Sequence, residues 1–292
     1  MKRHSIHPVK LIGVASGLGA RDHGCEDGPL FLRELNVFQG GAIPASWEDL
    51  LRPDASIGSP VTSTAELCSR LAGRVQDALD SGHFPLVVGG DHSCAIGTWS
   101  GLRHWLGARG SLGLIWIDAH MDSHTFDTTP SGALNGMPLA CLLGYGEPAL
   151  TAIVATEPKL RPEQVCLLGV RSYEEGEAAL LKQLGVRVIG MEEIRKRGVT
   201  ATLAEAMAVA RNGTAGYGVS LDLDVLDPAE EPGVGSPVPD GLLCHELEQA
   251  LRLLRADPAM LAMEIVEYNP HHDRHLLTAR AAGALFRAAL KR

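Results

Sequence analysis

Three short apolar segments of the chain each end in a cluster of aspartate and histidine residues. They are Leu86–Ser93 (LVVGGDHS), Leu114–Asp122 (LIWIDAHMD) and Val219–Asp224 (VSLDLD). Apolar runs of this length are typical of strands that are buried on both faces of a parallel sheet. Because the carboxyl ends of parallel strands lie along one edge of a sheet, the three acidic ends are expected to converge there.

The rest of the chain alternates short apolar runs with longer amphipathic stretches, which predicts strands joined by crossover helices. The predicted strands are Leu11–Ala15, Leu86–Gly89, Leu112–Ile117, Gln164–Gly169, Val186–Ile189, Tyr217–Leu221 and Leu261–Val266. The predicted helices are Thr64–Ser81, Ala95–Leu106, Glu175–Leu184, Ala201–Asn212, Leu242–Arg255 and Leu277–Lys291. We therefore expect an α/β fold, a three-layer α/β/α sandwich with a mostly parallel central sheet, in a single domain over residues 1–292. The Pro/Gly-rich stretch Asp227–Gly241 is interpreted as a functional loop between a strand and a helix.

Composition excludes several classes of protein. The formal net charge of −9 argues against nucleic acid as a partner, because phosphate binding needs a basic surface. No apolar run approaches the roughly 20 residues needed to cross a bilayer, and the N-terminus does not resemble a signal peptide. The six cysteines are widely spaced and are expected to be buried free thiols. These features predict a soluble cytoplasmic protein that does not bind membranes.

Spacing at the three acidic ends predicts a metal centre. The candidate ligands are His92, Asp118, His120, Asp122, Asp222 and Asp224. Residues two apart in extended chain point the same way, so the Asp-x-His-x-Asp and Asp-x-Asp spacings each aim their side chains at one site. Four carboxylates brought together would repel one another, whereas two divalent ions would cancel their charge. Six oxygen and nitrogen ligands without cysteine favour a pair of manganese ions, with cobalt or nickel as alternatives, and the chemistry of such pairs is hydrolysis.

Five motifs resemble, in order and approximate spacing, those of the arginase, agmatinase and formiminoglutamase superfamily, the ureohydrolases. They are GGDHS (89–93), DAHMD (118–122), SGALNGMP (131–138), SLDLDVLDP (220–228) and MEIVEYNP (263–270). The resemblance implies that the six candidate ligands bind two Mn²⁺ ions, which activate a water that attacks a guanidinium carbon and releases urea. It also implies assembly as a homo-oligomer, usually a trimer or a hexamer.

The same resemblance assigns substrate contacts, and over 122–138 the chain is most similar to arginase. Glu267 matches the glutamate that pairs with the substrate guanidinium, and a carboxylate can hold this planar group through two parallel hydrogen bonds. Thr129 and Ser131 match residues that hold the substrate carboxylate, and Glu174 matches an acidic residue that receives the α-amino group. Two departures, Ala133 and Ser172, stand where arginases have Asn and Asp, and they weaken the case for L-arginine itself.

A further departure falls on the catalytic machinery. The family motif SGxxHG supplies a histidine that protonates the leaving amine, and this position is Asn135 here. An amide cannot carry a proton at neutral pH. Three explanations stay open. The substrate needs no proton shuttle at this position, another histidine substitutes, or the protein is slow or inactive, which includes the case of a deliberately introduced asparagine. His124, two residues beyond Asp122, is the best-placed substitute, although a solvent or substrate contact is the simpler interpretation of it.

Three functions remain at this point. The leading hypothesis is a hydrolase that cleaves a small guanidino compound, arginine or a relative, to urea and an amine. The second is formimino or amide hydrolysis on the same scaffold, and the third is a non-catalytic metal-binding protein.

Overall fold

The central element of the fold is one sheet in which every strand pairing is parallel. The computed structural model describes residues 8–39, 43–54, 56 and 58–290. The strands within these residues are β1 Val9–Val14, β2 Ala45–Leu51, β3 Phe84–Gly89, β4 Ser111–Ile117, β5 Val165–Val170, β6 Arg187–Gly190, β7 Thr214–Asp222 and β8 Met260–Val266. Their order in the sheet is β2-β1-β3-β8-β7-β4-β5-β6. The four inner strands β3, β8, β7 and β4 are therefore neighbours, and each ends at the same edge of the sheet.

Helices cover both faces of the sheet, as expected for strands that are apolar throughout. The helices are α1 Gly28–Glu34, α2 Pro60–Asp80, α3 Ala95–Leu106, α4 Pro138–Leu142, α5 Pro148–Thr151, α6 Glu175–Leu184, α7 Met191–Arg197, α8 Val199–Arg211, α9 Cys244–Leu251 and α10 Leu277–Leu290. One core joins α1 and α7–α10 to one face, and a second joins α2, α3, α4 and α6 to the other. In β4, Ile115 and Ile117 enter the first core and Leu114 and Trp116 the second. The predicted three-layer α/β/α sandwich is confirmed.

Most predicted elements match, and the mismatches have local causes. Helix α2 begins at Pro60 rather than Thr64, because the Ser59 side chain caps it by accepting a hydrogen bond from the Thr62 amide. Strand β2 was not predicted. It lies at the edge of the sheet, and its sequence ASWEDLL carries two acidic residues that hide the apolar pattern.

A buried glycine lets an aromatic ring reach the middle of the sheet. A Cβ atom on Gly218 in β7 would overlap the six-membered ring of Trp99 in α3. Only glycine leaves room for this ring, and the Trp99 indole nitrogen then donates to Glu264 in β8 over 2.6 Å. Helix α3, β7 and β8 are thereby held together beneath the edge where the acidic residues gather.

One arginine ties together the loops that follow β5 and β7. The guanidinium of Arg171 donates to backbone carbonyl oxygens at distances of 2.7–3.4 Å. The acceptors are Gly169, Asp224, Val225, Leu226, Val238 and Pro239. The loop predicted over 227–241 is thus fixed at its far end to the strand ends of the sheet.

The cysteines are free thiols, as predicted, and all but Cys244 are buried. Among the residues that the structure describes, no helix combines the length and apolarity needed to cross a membrane.

Candidate metal centre and active-site pocket

His92 stands at the centre of the first group of candidate ligands. Its Nδ1 atom lies 3.2 Å from Oδ2 of Asp118, 3.0 Å from Oδ2 of Asp122 and 3.0 Å from Oδ2 of Asp222. These four residues come from the ends of β3, β4 and β7, so the convergence expected from the sequence is observed. Nδ1 is fully buried and has no hydrogen bond of acceptable geometry, which is the arrangement of a nitrogen lone pair aimed at a shared cation.

A second group of ligands adjoins the first. Nδ1 of His120 lies 2.9 Å from Oδ2 of Asp224 and 3.5 Å from Oδ1 of Asp118. Ligand atoms of His92, Asp118 and Asp222 lie close enough to one another to hold one ion, and so do those of Asp118, His120 and Asp224. Asp118 belongs to both groups, with one carboxylate oxygen in contact with each. The residues therefore offer two adjacent sites joined by one bridging carboxylate.

Buried polar groups behind the ligands fix their orientation. Nε2 of His92 lies 2.8 Å from Oγ of Ser220, which donates to Oε1 of Glu264 over 2.6 Å. The His92 ring stacks on Trp116 with ring centres 4.2 Å apart, and the Trp116 indole donates to Oδ2 of Asp118 over 2.8 Å. Such contacts hold an imidazole in one rotation and leave Nδ1 facing the carboxylates.

Crowding and burial raise the pKa of two of the carboxylates, Asp122 and Asp222. Burial, and then the charge of Asp118, raise the pKa of Asp122 to about 8. Burial, Asp224 and Asp118 likewise raise the pKa of Asp222 well above its usual range. Burial opposes the charging of His92, yet its contacts with Asp118, Asp122 and Asp222 raise its pKa well above the usual value. A cluster of this kind favours positive charge at its centre, and divalent cations fit a donor set of carboxylates and imidazoles without thiolates.

Glu267 follows β8 and lies beside the metal-ligand groups. Its backbone has a positive φ of 64°, and its amide donates to the carbonyl oxygen of Gly90 over 2.8 Å. Oε1 accepts from the His92 amide over 2.8 Å and from Nδ2 of Asn135 over 3.3 Å. Burial, followed by the charge of Asp91, raises the pKa of Glu267 to about 7. This carboxylate is 2% exposed and has no cationic side chain against it among the described residues.

A pocket of about 280 Å³ opens over these groups. Its lining includes Glu267 and the candidate ligands His120, Asp122, Asp222 and Asp224, together with Asn135 and Gly136. Four other predicted site residues, His124, Thr129, Ser131 and Glu174, also line the pocket. The structure thus brings every predicted site residue to one cavity, except that His92 and Asp118 lie beneath its surface.

His124 lies at the mouth of this pocket, and both of its ring nitrogens have polar partners. Its Nε2 lies 2.9 Å from Oε2 of Glu174, and its Nδ1 lies 3.1 Å from Oγ1 of Thr128. Glu177 lies beside the pair, 3.6 Å from the same Nε2 atom, and accepts from the amides of Glu174 and Ser123. Both ring nitrogens of His124 thus face the mouth and its flanking loops.

Three polar or charged residues that line the pocket were not predicted as site residues from the sequence: Arg21, Glu177 and Ser236. Glu177 had a usable signal, because it follows Glu174 at the three-residue spacing of a helix capping box. Arg21 and Ser236 lie in loops without a local pattern, and only the folded chain brings them to the mouth.

Comparison with known proteins gives one family and several solved structures of the same fold. The family model described as the arginase family matches residues 7–291. An arginase of Bacillus caldovelox is 39% identical over 294 aligned residues, which cover 96% of this chain and 97% of that protein. A crystal structure of arginase from Bacillus subtilis superposes with a TM-score of 0.89 at 34% identity and covers 98% of this chain and 99% of that one. The formimidoylglutamase of Bacillus subtilis superposes with a TM-score of 0.78 at 26% identity and covers 100% of this chain and 88% of that one.

Proposed function

Because the chain belongs to the arginase family of hydrolases, we propose that it cleaves a C–N bond of a guanidino compound, arginine or a relative, and releases urea and an amine. The observation that carries this proposal is the buried carboxylate of Glu267 beside the ligand groups, in the lining of the pocket. A guanidinium carries a positive charge and two parallel N–H groups, which match a carboxylate that has no cationic partner.

The six residues predicted as ligands are proposed to hold two divalent cations, with Mn²⁺ as the first choice and Co²⁺ or Ni²⁺ as alternatives. When bound, such a pair would lower the pKa of a shared water and so supply a nucleophile at neutral pH. The protein itself contributes the fixed positions of its donors. Asp118 joins the two groups, and the Asp222 carboxylate accepts from the Asp224 amide over 2.8 Å, which limits its rotation.

Glu267 is proposed to orient the substrate. Its Oε1 is held by the His92 amide, so the carboxylate plane is fixed relative to a residue of the metal centre. A guanidinium paired with this carboxylate would present its central carbon toward the ligand groups. Restriction of the reacting groups in this way is a large part of enzymatic rate enhancement.

The proton step is where this chain departs from its relatives. Addition of water to the guanidinium carbon and rupture of the C–N bond leave an amine that must gain a proton. The Asn135 amide can hydrogen bond to the reacting groups but cannot carry that proton. We therefore propose one of three outcomes: turnover is slowed at this step, the leaving amine takes its proton from solvent, or the natural substrate has a leaving group that needs no proton.

The mouth of the pocket is proposed to hold the far end of the substrate. Thr129 and Ser131 offer hydroxyl groups, and the exposed guanidinium of Arg21 offers a positive charge. Glu174 offers a carboxylate whose Oε2 lies 2.9 Å from Nε2 of His124. A substrate that carries a carboxylate at this end, with or without an adjacent amine, fits these groups.

Formimino hydrolysis is the second candidate, and Asn135 favours it. A substrate whose leaving group does not require the shuttle would not suffer from the missing histidine. The structural similarity to a formimidoylglutamase shows that the same scaffold occurs in a protein named for that chemistry.

A substrate panel separates these functions. The protein is loaded with Mn²⁺ and assayed with L-arginine, agmatine, 4-guanidinobutyrate and N-formimino-L-glutamate. Urea from a guanidino compound supports the proposal, formamide or ammonia from the formimino compound supports the second candidate, and tight metal binding without any product contradicts both. Light scattering on the same sample tests the proposed homo-oligomer, a trimer or hexamer.

A further inference from the structure

The carboxylate of Glu267 has a third neighbour, which the proposed reaction does not use. Cys25 lies in the 3-10 turn His23–Asp27 and is 0% exposed. Its Sγ atom lies 3.1 Å from Oε2 of Glu267 and 3.5 Å from the Glu267 carbonyl oxygen. The thiol can therefore donate a hydrogen bond to the carboxylate oxygen that neither His92 nor Asn135 contacts.

The turn that carries Cys25 is fastened to the segment that carries Glu267. Nδ2 of Asn269, two residues beyond Glu267, donates to Oδ2 of Asp22 over 3.2 Å. The other carboxylate oxygen of Asp22 caps the turn by accepting from the Gly24 amide over 2.9 Å. A Cβ atom on Gly24 would overlap the Asn269 side chain. The Sγ–Oε2 contact therefore joins two segments whose backbones are already held in register.

The loop opposite leaves little free space at Oε2. A Cβ atom on Gly235 would lie 3.1 Å from both the Cys25 Sγ and the Glu267 Oε2. Cys25 and Gly235 thus close this oxygen from two sides, and its remaining direction is toward the pocket. Burial and the neighbouring Glu267 charge raise the pKa of the Cys25 thiol well above its usual range, so the thiol keeps its proton.

We propose that Cys25 is a positioning residue for guanidinium recognition: its thiol fixes Oε2 of Glu267 while the His92 amide fixes Oε1, so that both oxygens face the substrate in one plane. A bidentate pair needs this geometry, because rotation of the carboxylate about its terminal bond would break one of the two parallel hydrogen bonds. The inference rests on the proposed use of Glu267, and it assigns no chemical step to the thiol.

The test compares substitutions that remove or keep the donor at position 25. Cys25→Ala and Cys25→Val lack a donor, and Cys25→Ser keeps one. Cys166→Ala is the matched control, because Cys166 is equally buried in β5 and its Sγ atom donates to a backbone carbonyl, that of Leu167 at 3.7 Å, rather than to a residue of the pocket. Each Mn²⁺-loaded protein is assayed for KM and kcat with the best guanidino substrate and for its melting temperature. Competitive inhibition by guanidinium chloride is measured against matched NaCl, and L-arginine binding is measured by calorimetry.

We expect Cys25→Ala and Cys25→Val to raise KM and the guanidinium inhibition constant roughly three- to tenfold, the effect of one lost hydrogen bond, while kcat changes less. Cys25→Ser should stay within about twofold of the wild type, as should Cys166→Ala whatever its melting temperature. The inference is overturned if KM and the guanidinium inhibition constant are unchanged in both donor-free variants, or if Cys25→Ser raises them as much as those variants do. In either case, urea release by the wild type still supports the proposed function. If the wild type releases no urea, weaker L-arginine binding in the donor-free variants supports the role of Cys25 alone, and equal or absent binding overturns it.

Discussion

Nδ2 of Asn135 donates a hydrogen bond to Oε1 of Glu267 over 3.3 Å. The side chain at the position where the sequence resemblance predicts a proton-carrying histidine therefore touches the carboxylate proposed to anchor the substrate. Because Oε1 also accepts from the His92 amide, Asn135 shares an acceptor with the metal centre. The contact gives Nδ2 of this half-buried amide a partner, and it places position 135 next to the bond that is proposed to break.

Replacement of Asn135 by histidine is expected to speed urea release. An imidazole at this position could give a proton to the leaving amine, and general acid catalysis typically contributes about 10²- to 10⁴-fold in rate. We expect kcat to rise by at least roughly tenfold within that range, with Asn135→Gln as the control that changes length without adding a titratable group. An unchanged or lower kcat in Asn135→His would mean that proton delivery is not what limits this protein.

Replacement of Glu267 by glutamine should abolish guanidinium recognition while leaving the metal centre filled. The substitution removes the charge and one of two parallel hydrogen bonds, so kcat/KM should fall about 100-fold or more. Metal content by atomic emission serves as the control and should not change. If kcat/KM falls less than about tenfold, Glu267 is not the anchor.

Loss of metal should be greatest when Asp118 is changed, because this carboxylate contacts both ligand groups. We expect the wild type to hold about two Mn²⁺ per chain and Asp118→Asn about one or fewer, with activity lost in parallel. Dialysis against a chelator should remove the activity of the wild type, and added Mn²⁺ should restore it. Asp77→Asn, on the exposed face of α2, is the comparison; equal Mn²⁺ content in the two variants would argue against a bridging role for Asp118.

His124 is expected to act on binding rather than on proton transfer. Its two ring nitrogens contact Glu174 and Thr128, so neither is directed at the leaving group. We expect His124→Ala to leave the pH profile of kcat unchanged and to raise KM several-fold for substrates with a charged far end. His104→Ala, an exposed histidine in α3, is the control. A shifted pH profile in His124→Ala alone would identify His124 as the missing shuttle.

Glu231 should make stability depend on pH. Burial, and then the charges of Glu230, Asp227 and Asp273, raise its pKa from 4.5 to about 7. The folded state therefore binds this proton more tightly than the unfolded state, so the stabilisation is complete below about pH 4.5 and is lost as pH rises through about 7. At pH 8, Glu231→Gln should raise the free energy of unfolding by an amount on the order of 1 kcal/mol relative to the wild type, and its melting temperature should rise accordingly. At pH 5 both gains should be much smaller. Glu163→Gln is the control, because Glu163 is an exposed glutamate that is not among the charges acting on Glu231. An equal gain for Glu231→Gln at both pH values would contradict the assignment.

The sequence was sufficient for the central strands of the sheet and for the convergence of the candidate ligands, because the same segments specify both. Apolar runs such as Leu114–Ile117 identify central strands, and in a parallel sheet the residues after such strands are brought to one edge by topology alone. Asp118 and Asp222 needed no knowledge of loops to be placed together. Glu267 also follows a central strand, but it was identified only through the resemblance of its motif to the ureohydrolases.

The mouth of the pocket could not be predicted in the same way. Arg21 reaches the pocket from the loop after β1, and its position depends on how that loop packs on residues far away in sequence, including the contact of Asp22 with Asn269. Cys25 carried no motif, and its contact with Glu267 joins positions 242 residues apart. Loop residues are placed by such long-range contacts, which no local periodicity records.

The Arg171 guanidinium, fastened to carbonyl groups of three chain segments, has a consequence for how this protein can be altered. Its acceptors are all backbone atoms, so substitutions of the surrounding side chains leave the tether intact. The tips of the loops at the mouth can then exchange side chains while the residues beneath them stay in place. A library at Ser236 would vary the pocket wall on a loop whose end stays tethered, whereas a change at Arg171 would release the segments at 169, 224–226 and 238–239 together.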